Sequence, residues 1–196
     1  MRRGFKAEAK RLALEVRAEL GLGSHEPLDP YGLAGLYGIP IFSLNELTAH
    51  DCPPDAITYF TQVRQAAFSA ALVPLGSARF IIENAVHADT RRRASIAHEM
   101  AHVILEHQFS TALLTFDGCR SVGREIEAEA NQLGGELLIP YKAALSAARA
   151  SWPDDQVAQY YGVSQAFAAM RMNPSGARKV AERQREAYER RVRIRR

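Results

Sequence analysis

Residues 98–102 read His98-Glu99-Met100-Ala101-His102, two imidazoles four positions apart with a carboxylate beside the first. This is the H-E-x-x-H spacing, and it does chemistry only on a helix. A helix turns about 100° per residue, so the two rings stand about 40° apart and one turn up the axis. Two imidazoles on one face can share a Zn2+ ion, and Glu99, one position round, reaches a water in front of it. The local residues suit a helix. Ala94, Ile96, Ala97, Met100, Ala101, Val103, Ile104 and Leu105 are apolar, with neither Gly nor Pro between 94 and 107. A lone histidine on an apolar helix is more often packed core than a ligand, whereas the H-E-x-x-H spacing favours a metal site without settling it. A third protein ligand decides, because a catalytic zinc takes three and keeps a fourth position open for water.

Three patterns could supply that ligand. The extended motif with a later Gly and third His fails, since position 105 is Leu and position 108 is Gln. His107 falls nearly opposite His98 on the same helix, so it is not expected to close the site. A glutamate from a second helix remains, and residues 124–140, REIEAEANQLGGELLIP, offer one. Ile126, Ala130, Leu133 and Leu137 form a core-facing stripe, and Pro140 stops the helix. Glu127 and Asn131 sit one turn apart beside the stripe, so Asn131 is placed to orient a ligand. Glu125 and Glu129 compete with Glu127, although both read as solvated charges favoured by the helix dipole. Spacing favours Glu127 without excluding the others. Gly134 and Gly135 weaken a helix interior, which points to close approach of another backbone.

The chain resembles the ImmA/IrrE family of zincin-like metallopeptidases. The likeness runs through FKAEAKRLALEVRAELGL, AITYFTQVRQAAFSAALV, FIIENAVHADTRRRASIAHEMAHVILEH, IEAEANQLGGELLIP and VAQYYGVSQAFAAMRM. Many members have Gly where Ala101 stands and an aromatic near Ala94; neither change touches a ligand. The resemblance implies that His98, His102 and Glu127 hold Zn2+ and that Glu99 is the general base. It also implies a regulatory endopeptidase acting on a helix-turn-helix repressor or antitoxin. Asn84, His87 and Arg91 match the family's pattern too, and they read as turn and cap chemistry.

The elements that must position this site follow from composition and pattern. The 196 residues are 47% hydrophobic, enough for one domain with a core of its own. The expected class is α+β: a helix-rich zincin-like fold, a small sheet bordering the cleft, and C-terminal helices packed on it. A single domain is expected over residues 1–176. IPIFSL reads as a strand, and AFSAALV and ARFIIENA as a hairpin through Pro74 and Gly76. Such a strand beside the motif helix could accept an extended substrate along its edge. Short helices are expected over 31–37 and from Asp55 to Arg64. The first 22 residues read as an amphipathic helix and not a signal peptide. No apolar run is long enough to span a membrane. Two cysteines, Cys52 and Cys119 in loop-like settings, make no disulfide framework, so a reduced cytoplasmic location is expected.

Ala158, Gly162, Val163 and Ser164 are spaced as in a helix-turn-helix, with Ser164 suited to cap the second helix. That helix, QAFAAM, has few groups able to read base edges, so core-completing helices are expected instead. Residues 177–196 form a basic tail with nine Arg or Lys against three Glu. Charge runs of this kind are usually solvated, but this one could also dock nucleic acid or an acidic partner. Two other functions were weighed. One is a non-proteolytic zinc-containing module that sequesters a transcription factor, against which an intact Glu99 argues. The other is a DNA-binding regulator.

Overall fold

Phe5, Ala9, Ala13 and Val16 recur every three or four residues, and the first helix, α1 (Phe5–Glu19), turns all four into the core. In the computed structural model, which describes residues 1–50, 52–107, 123–173 and 176–194, α1 packs on the helix that carries Glu127. The remaining helices are α2 (Pro30–Leu36), α3 (Pro54–Thr58), α4 (Asp89–Ile104), α5 (Arg124–Leu138), α6 (Tyr141–Arg149), α7 (Asp154–Tyr161), α8 (Gln165–Met172) and α9 (Ala177–Ile194). Three strands form the sheet: β1 (Ile41–Ser43), β2 (Ala70–Leu75) and β3 (Ala78–Glu83), in the order β1-β3-β2. The chain is a helix-rich α+β fold of the zincin-like kind.

The hairpin is where the sequence puts it. Strands β2 and β3 pair antiparallel with Leu72 opposite Ile81, and Gly76 takes the left-handed φ of 61° that the tight turn needs. Strand β1 joins β3 in parallel, so β2 is an edge of the sheet, and α4 lies beside it. The segment from Asp55 to Arg64 is less regular than a plain helix. Helix α3 passes at Tyr59 into a π-helical turn, Tyr59–Val63.

Helix α4 is tied at both sides. Arg92 pairs with the buried Glu83 of β3, which also accepts from the Tyr31 hydroxyl of α2 at 2.8 Å. Arg93 donates to the carbonyls of Leu28 and Gly162, at 2.7 and 3.0 Å. Asn84, fully buried, donates to the carbonyls of Phe60 and Phe68, and His87 reaches the Phe68 carbonyl at 2.9 Å. These two hold the β3–α4 connection in its turn. Helix α4 begins earlier than its apolar run and ends at Ile104, three residues short of His107.

Helices α4 and α5 meet at their backbones. A Cβ on Gly134 would stand 3.1 Å from the Ala97 carbonyl oxygen and 3.3 Å from His98 Cα. The expected close approach is therefore to the motif helix itself. The far end of α5 is held by two buried arginines. Arg17 of α1 donates to the Leu137 carbonyl at 2.6 Å, and Arg171 of α8 to the Ile139 carbonyl at 3.0 Å. Both satisfy carbonyls that a helix end leaves unpaired.

Helices α7 and α8 turn at Gly162, φ 63°, and the Ser164 hydroxyl accepts from the Phe167 N–H at 3.2 Å. Ala168, Arg171 and Met172 of α8 are buried, so this helix completes the core. Helix α9 starts the basic segment, and its Ala177 and Ala181 are buried while α9 packs on α6. No helix among the described residues is long and apolar enough to cross a membrane. Cys52 is a free thiol, and Cys119 lies outside the described residues.

Helix propensity alone makes Gly134→Ala stabilising by about 1 kcal/mol. The contact with the α4 backbone reverses the sign, because neither main chain can rotate away. The variant is expected to unfold at lower urea than the parent, and a midpoint at or above the parental one would refute the tight approach.

Candidate active site

Three elements converge on His98. Helix α4 supplies His98, Glu99 and His102, helix α5 supplies Glu127 and Asn131, and the β2 edge supplies a backbone N–H. Seven residues, close to two helical turns, separate Glu127 from Gly134, so the glycine that seats α5 on α4 also brings Glu127 over the histidines.

The ligand atoms point at one another. His98 Nε2 lies 3.1 Å from His102 Nε2, Glu127 Oε2 lies 3.3 Å from His98 Nε2, and Glu127 Oε1 lies 3.5 Å from His102 Nε2. Two ligands at zinc's usual bond lengths about a tetrahedral centre are separated by about 3.3 Å. The His98–His102 distance and the two Glu127 contacts, which run from different carboxylate oxygens, lie close to that figure, and the donor set of two imidazoles and a carboxylate suits zinc. Among the described residues, this His-His-Glu group is the one of its kind able to hold a metal ion. His102 is buried at 2% side-chain exposure, whereas His98 and Glu127 are 23% and 42% exposed and leave one side open. That open side faces a cleft of about 470 Å³ lined by Ala70, Arg91, Glu99, Asn131, Phe167 and Met170.

The charges in the group are interdependent. Burial would lower the His98 pKa, but the hydrogen bond to Glu127, the charges of Glu99 and Glu127, and a hydrogen bond to Asn131 raise it overall. The same contact with His98 holds Glu127 below the usual carboxylate range. Burial, helped by the neighbouring His98, pushes His102 down to about 4. His102 is thus neutral and Glu127 ionised, as ligands must be.

The Glu99 carboxylate lies beside His98 on the cleft and reaches β2. Its Oε2 accepts from the Leu72 N–H at 3.0 Å. Burial lifts its pKa to about 7, with the His98 charge and this hydrogen bond lowering it and Glu127 raising it.

The expected residues therefore come together: His98 and Glu99 line the cleft, and His102 and Glu127 lie within 3.5 Å of the His98 ring or of each other beside it. Asn131 is there too, but its partner is the His98 ring, not the Glu127 carboxylate one turn below it. Two expectations are corrected. Glu129 is not a solvated helix-end charge; it is 5% exposed and accepts from the Arg2 backbone N–H at 2.9 Å and the Arg2 Nε at 3.1 Å. His107 is not on the far face of α4, since the helix has ended and the chain has turned back behind His102. Glu125, by contrast, is exposed as expected, at 77%.

Sequence reasoning missed the cleft wall. Phe167 and Met170 come from α8, forty or more residues beyond Glu127, and no local pattern links them to His98. Arg91 lines the cleft and donates to the Ser69 hydroxyl at 2.7 Å, so it is more than cap chemistry.

Residues 48–173 match the family model described as the IrrE N-terminal-like domain, peptidase M78. The chain belongs to that family. No curated protein and no solved structure matches it. Membership supports a metallopeptidase-type function, and the geometry supplies the group that would hold the metal.

Two outcomes follow from the site. Glu127→Ala removes one of the three groups able to hold a metal ion, so the purified, folded variant is expected to take up less zinc against dilute chelator than Glu125→Ala; the reverse would mean that α5 is out of phase. The second concerns metal-free protein. Glu99 has a folded pKa near 7 against 4.5 unperturbed, so its ionisation costs no stability below about 4.5. The cost grows from 4.5 to 7 and is complete above 7, at up to about 3 kcal/mol. Metal-stripped Glu99→Gln should therefore resist urea better than stripped wild type at pH 8 and equally at pH 4.5. Equal midpoints at both pH values would show that Glu99 is not under that strain.

Proposed function

We propose that the protein is a zinc-dependent metallo-endopeptidase of regulatory type, cleaving a helix-turn-helix repressor or antitoxin. The observation that carries the reading is the convergence of His98, His102 and Glu127 into one group able to hold a metal ion, with Glu99 beside His98 on the cleft. Zinc held there would supply Lewis acidity to the scissile carbonyl and to the attacking water.

The chain's own residues do the rest. Glu99 is anchored by Leu72 at the rim of the cleft, where its carboxylate takes the proton of the attacking water and passes it to the leaving amine. A carboxyl with its pKa raised toward neutrality suits both transfers. The β2 edge positions the substrate. The Leu72 N–H points away from β3, so by strand alternation Ala70 also presents its N–H and carbonyl on the open edge. Ala70 lines the cleft, and an extended peptide pairing there runs past Glu99. Pro74, the next outward position, has no N–H and ends the usable edge. Phe167 and Met170 form an apolar wall opposite, suited to apolar side chains flanking the cleaved bond.

The repressor or antitoxin reading rests on the family to which the chain belongs. A single short edge and a narrow cleft favour one exposed segment of a partner over general digestion. The exposed positions of α8 are Gln165, Ala166 and Met170, and they offer one polar side chain, so the α7–α8 pair has little with which to read base edges. The basic helix α9 is left as a surface for an acidic partner.

The test is incubation of the zinc-loaded protein with helix-turn-helix repressors and antitoxins, the products of neighbouring genes first, read as discrete fragments on a gel. Glu99→Gln should keep zinc and lose about a hundredfold or more in cleavage rate, since the amide matches the carboxylate in size and accepts no proton. Undiminished cleavage by that variant would remove Glu99 from the mechanism. Intact partner in the presence of zinc-loaded wild type would remove the substrate class.

A further inference from the structure

His102 uses Nε2 toward His98 and Glu127, and its other nitrogen faces a second histidine. His102 Nδ1 lies 2.9 Å from His107 Nδ1, with the ring centroids 5.0 Å apart and the planes at 66°. His107 is brought there by the end of α4. Glu106 adopts φ 52°, the Glu106 N–H donates to the Val103 carbonyl at 3.0 Å, and the His107 N–H donates to the His102 carbonyl at 3.1 Å. This is a Schellman closure with a glutamate in the position that glycine usually fills. A non-glycine residue in left-handed backbone costs about 1 kcal/mol or more, so the turn is held by what it achieves.

Beyond His107 the chain of contacts continues. His107 Nε2 stands 3.9 Å from Glu129 Oε2, with His107 10% exposed, and Glu129 is fixed by the two Arg2 contacts described above. A ligand histidine whose Nε2 faces the metal must carry its proton on Nδ1. At a buried ring that proton needs an acceptor, and His107 Nδ1 is at hydrogen-bond distance. His107 is then protonated on Nε2, the nitrogen turned to the Glu129 carboxylate. Each tautomer dictates the next.

We propose that His107 is a positioning residue for the metal site: it accepts the His102 Nδ1–H and, backed by Glu129 and Arg2, fixes the tautomer and ring plane that present His102 Nε2. The inference rests on the zinc reading above. A carboxylate commonly takes this role directly; here a neutral imidazole stands between ligand and carboxylate. The arrangement also explains a buried glutamate on the helix face away from the metal. Because His107 lies behind His102, it is outside the ligand set while acting on it.

The test compares His107→Phe, which keeps a ring and lacks an acceptor, with His107→Asn, whose Oδ1 can stand where Nδ1 stood. Zinc dissociation constants are measured by chelator competition on stripped full-length protein, beside thermal melts of the same stripped samples. His107→Phe should bind zinc about ten- to a hundredfold more weakly than wild type. His107→Asn should recover affinity to within about threefold, with both stripped melts close to the parental one. A merely structural role would lower the stripped melt and gain nothing from Asn. If His107→Phe does not fold, His107→Leu takes its place, and Glu129→Gln should weaken zinc by a smaller factor. Parental affinity in His107→Phe, or equal weakening in Phe and Asn, overturns the proposal. Wild type that binds no zinc overturns the metal reading itself, and zinc bound by wild type but not by His102→Ala keeps that reading whatever His107 does.

Discussion

The contact between Gly134 and the α4 backbone sets the distance on which everything catalytic depends. Metal ligands tolerate only a few tenths of an ångström of error, and no side chain could serve as spacer between two helices this close. Leaving out a Cβ is the one way to bring α5 near enough for a short glutamate arm to span to His98 and His102. The neighbouring Gly135 does a related job, since a Cβ there would stand 3.0 Å from Arg171 Nη1, the arginine that holds the end of α5. The two glycines give up helix propensity for proximity on one side and for an anchoring cation on the other.

Once that distance is fixed, the polar groups fall into two sets with opposite needs. His98, Glu127 and Glu99 must remain reachable from the cleft, so they are partly exposed and titrate against one another. His102, Glu129, Asn84 and Glu83 are buried, and each is held by named partners. Buried polar groups left unpaired would cost several kcal/mol in total, so these contacts are conditions for folding before they are aids to function. Leu72 belongs to both sets. Its amide completes no ladder on the β2 edge and gives its hydrogen bond to Glu99, so the strand that would hold substrate also aims the base.

What the sequence made legible was what repeats locally. H-E-x-x-H with its apolar neighbours required a helix, and the Ile126, Ala130, Leu133, Leu137 stripe gave the phase of α5 and so preferred Glu127 over its neighbours. Gly134 announced a close approach. Gly76 and Pro74 marked the hairpin. What stayed hidden was set by chain reversal or by distance along the chain. His107 was misplaced because a helix was assumed to continue, and a glutamate at left-handed φ gives no advance sign of a Schellman end. Glu129 was misread because its partner, Arg2, is 127 residues away. Phe167 and Met170 could be assigned to a helix but not to a cleft, since helical pattern says which face is apolar and not what lies opposite.

The same separation explains why the site can exist before metal arrives. Two imidazoles and a carboxylate at edges near 3.3 Å would repel if the wrong ones were charged. Here burial disfavours charge on His102, while His98 and Glu127 each favour the other's charged form. A metal-free cluster of this kind is preorganised: a cation entering it would not have to gather its ligands. Binding free energy is then available to stabilise the fold as mass action, while Glu99, whose ionisation the buried site resists, gains a compensating positive neighbour. The carboxylate whose ionisation the metal-free site most resists is thus the one whose ionised form the proposed mechanism uses.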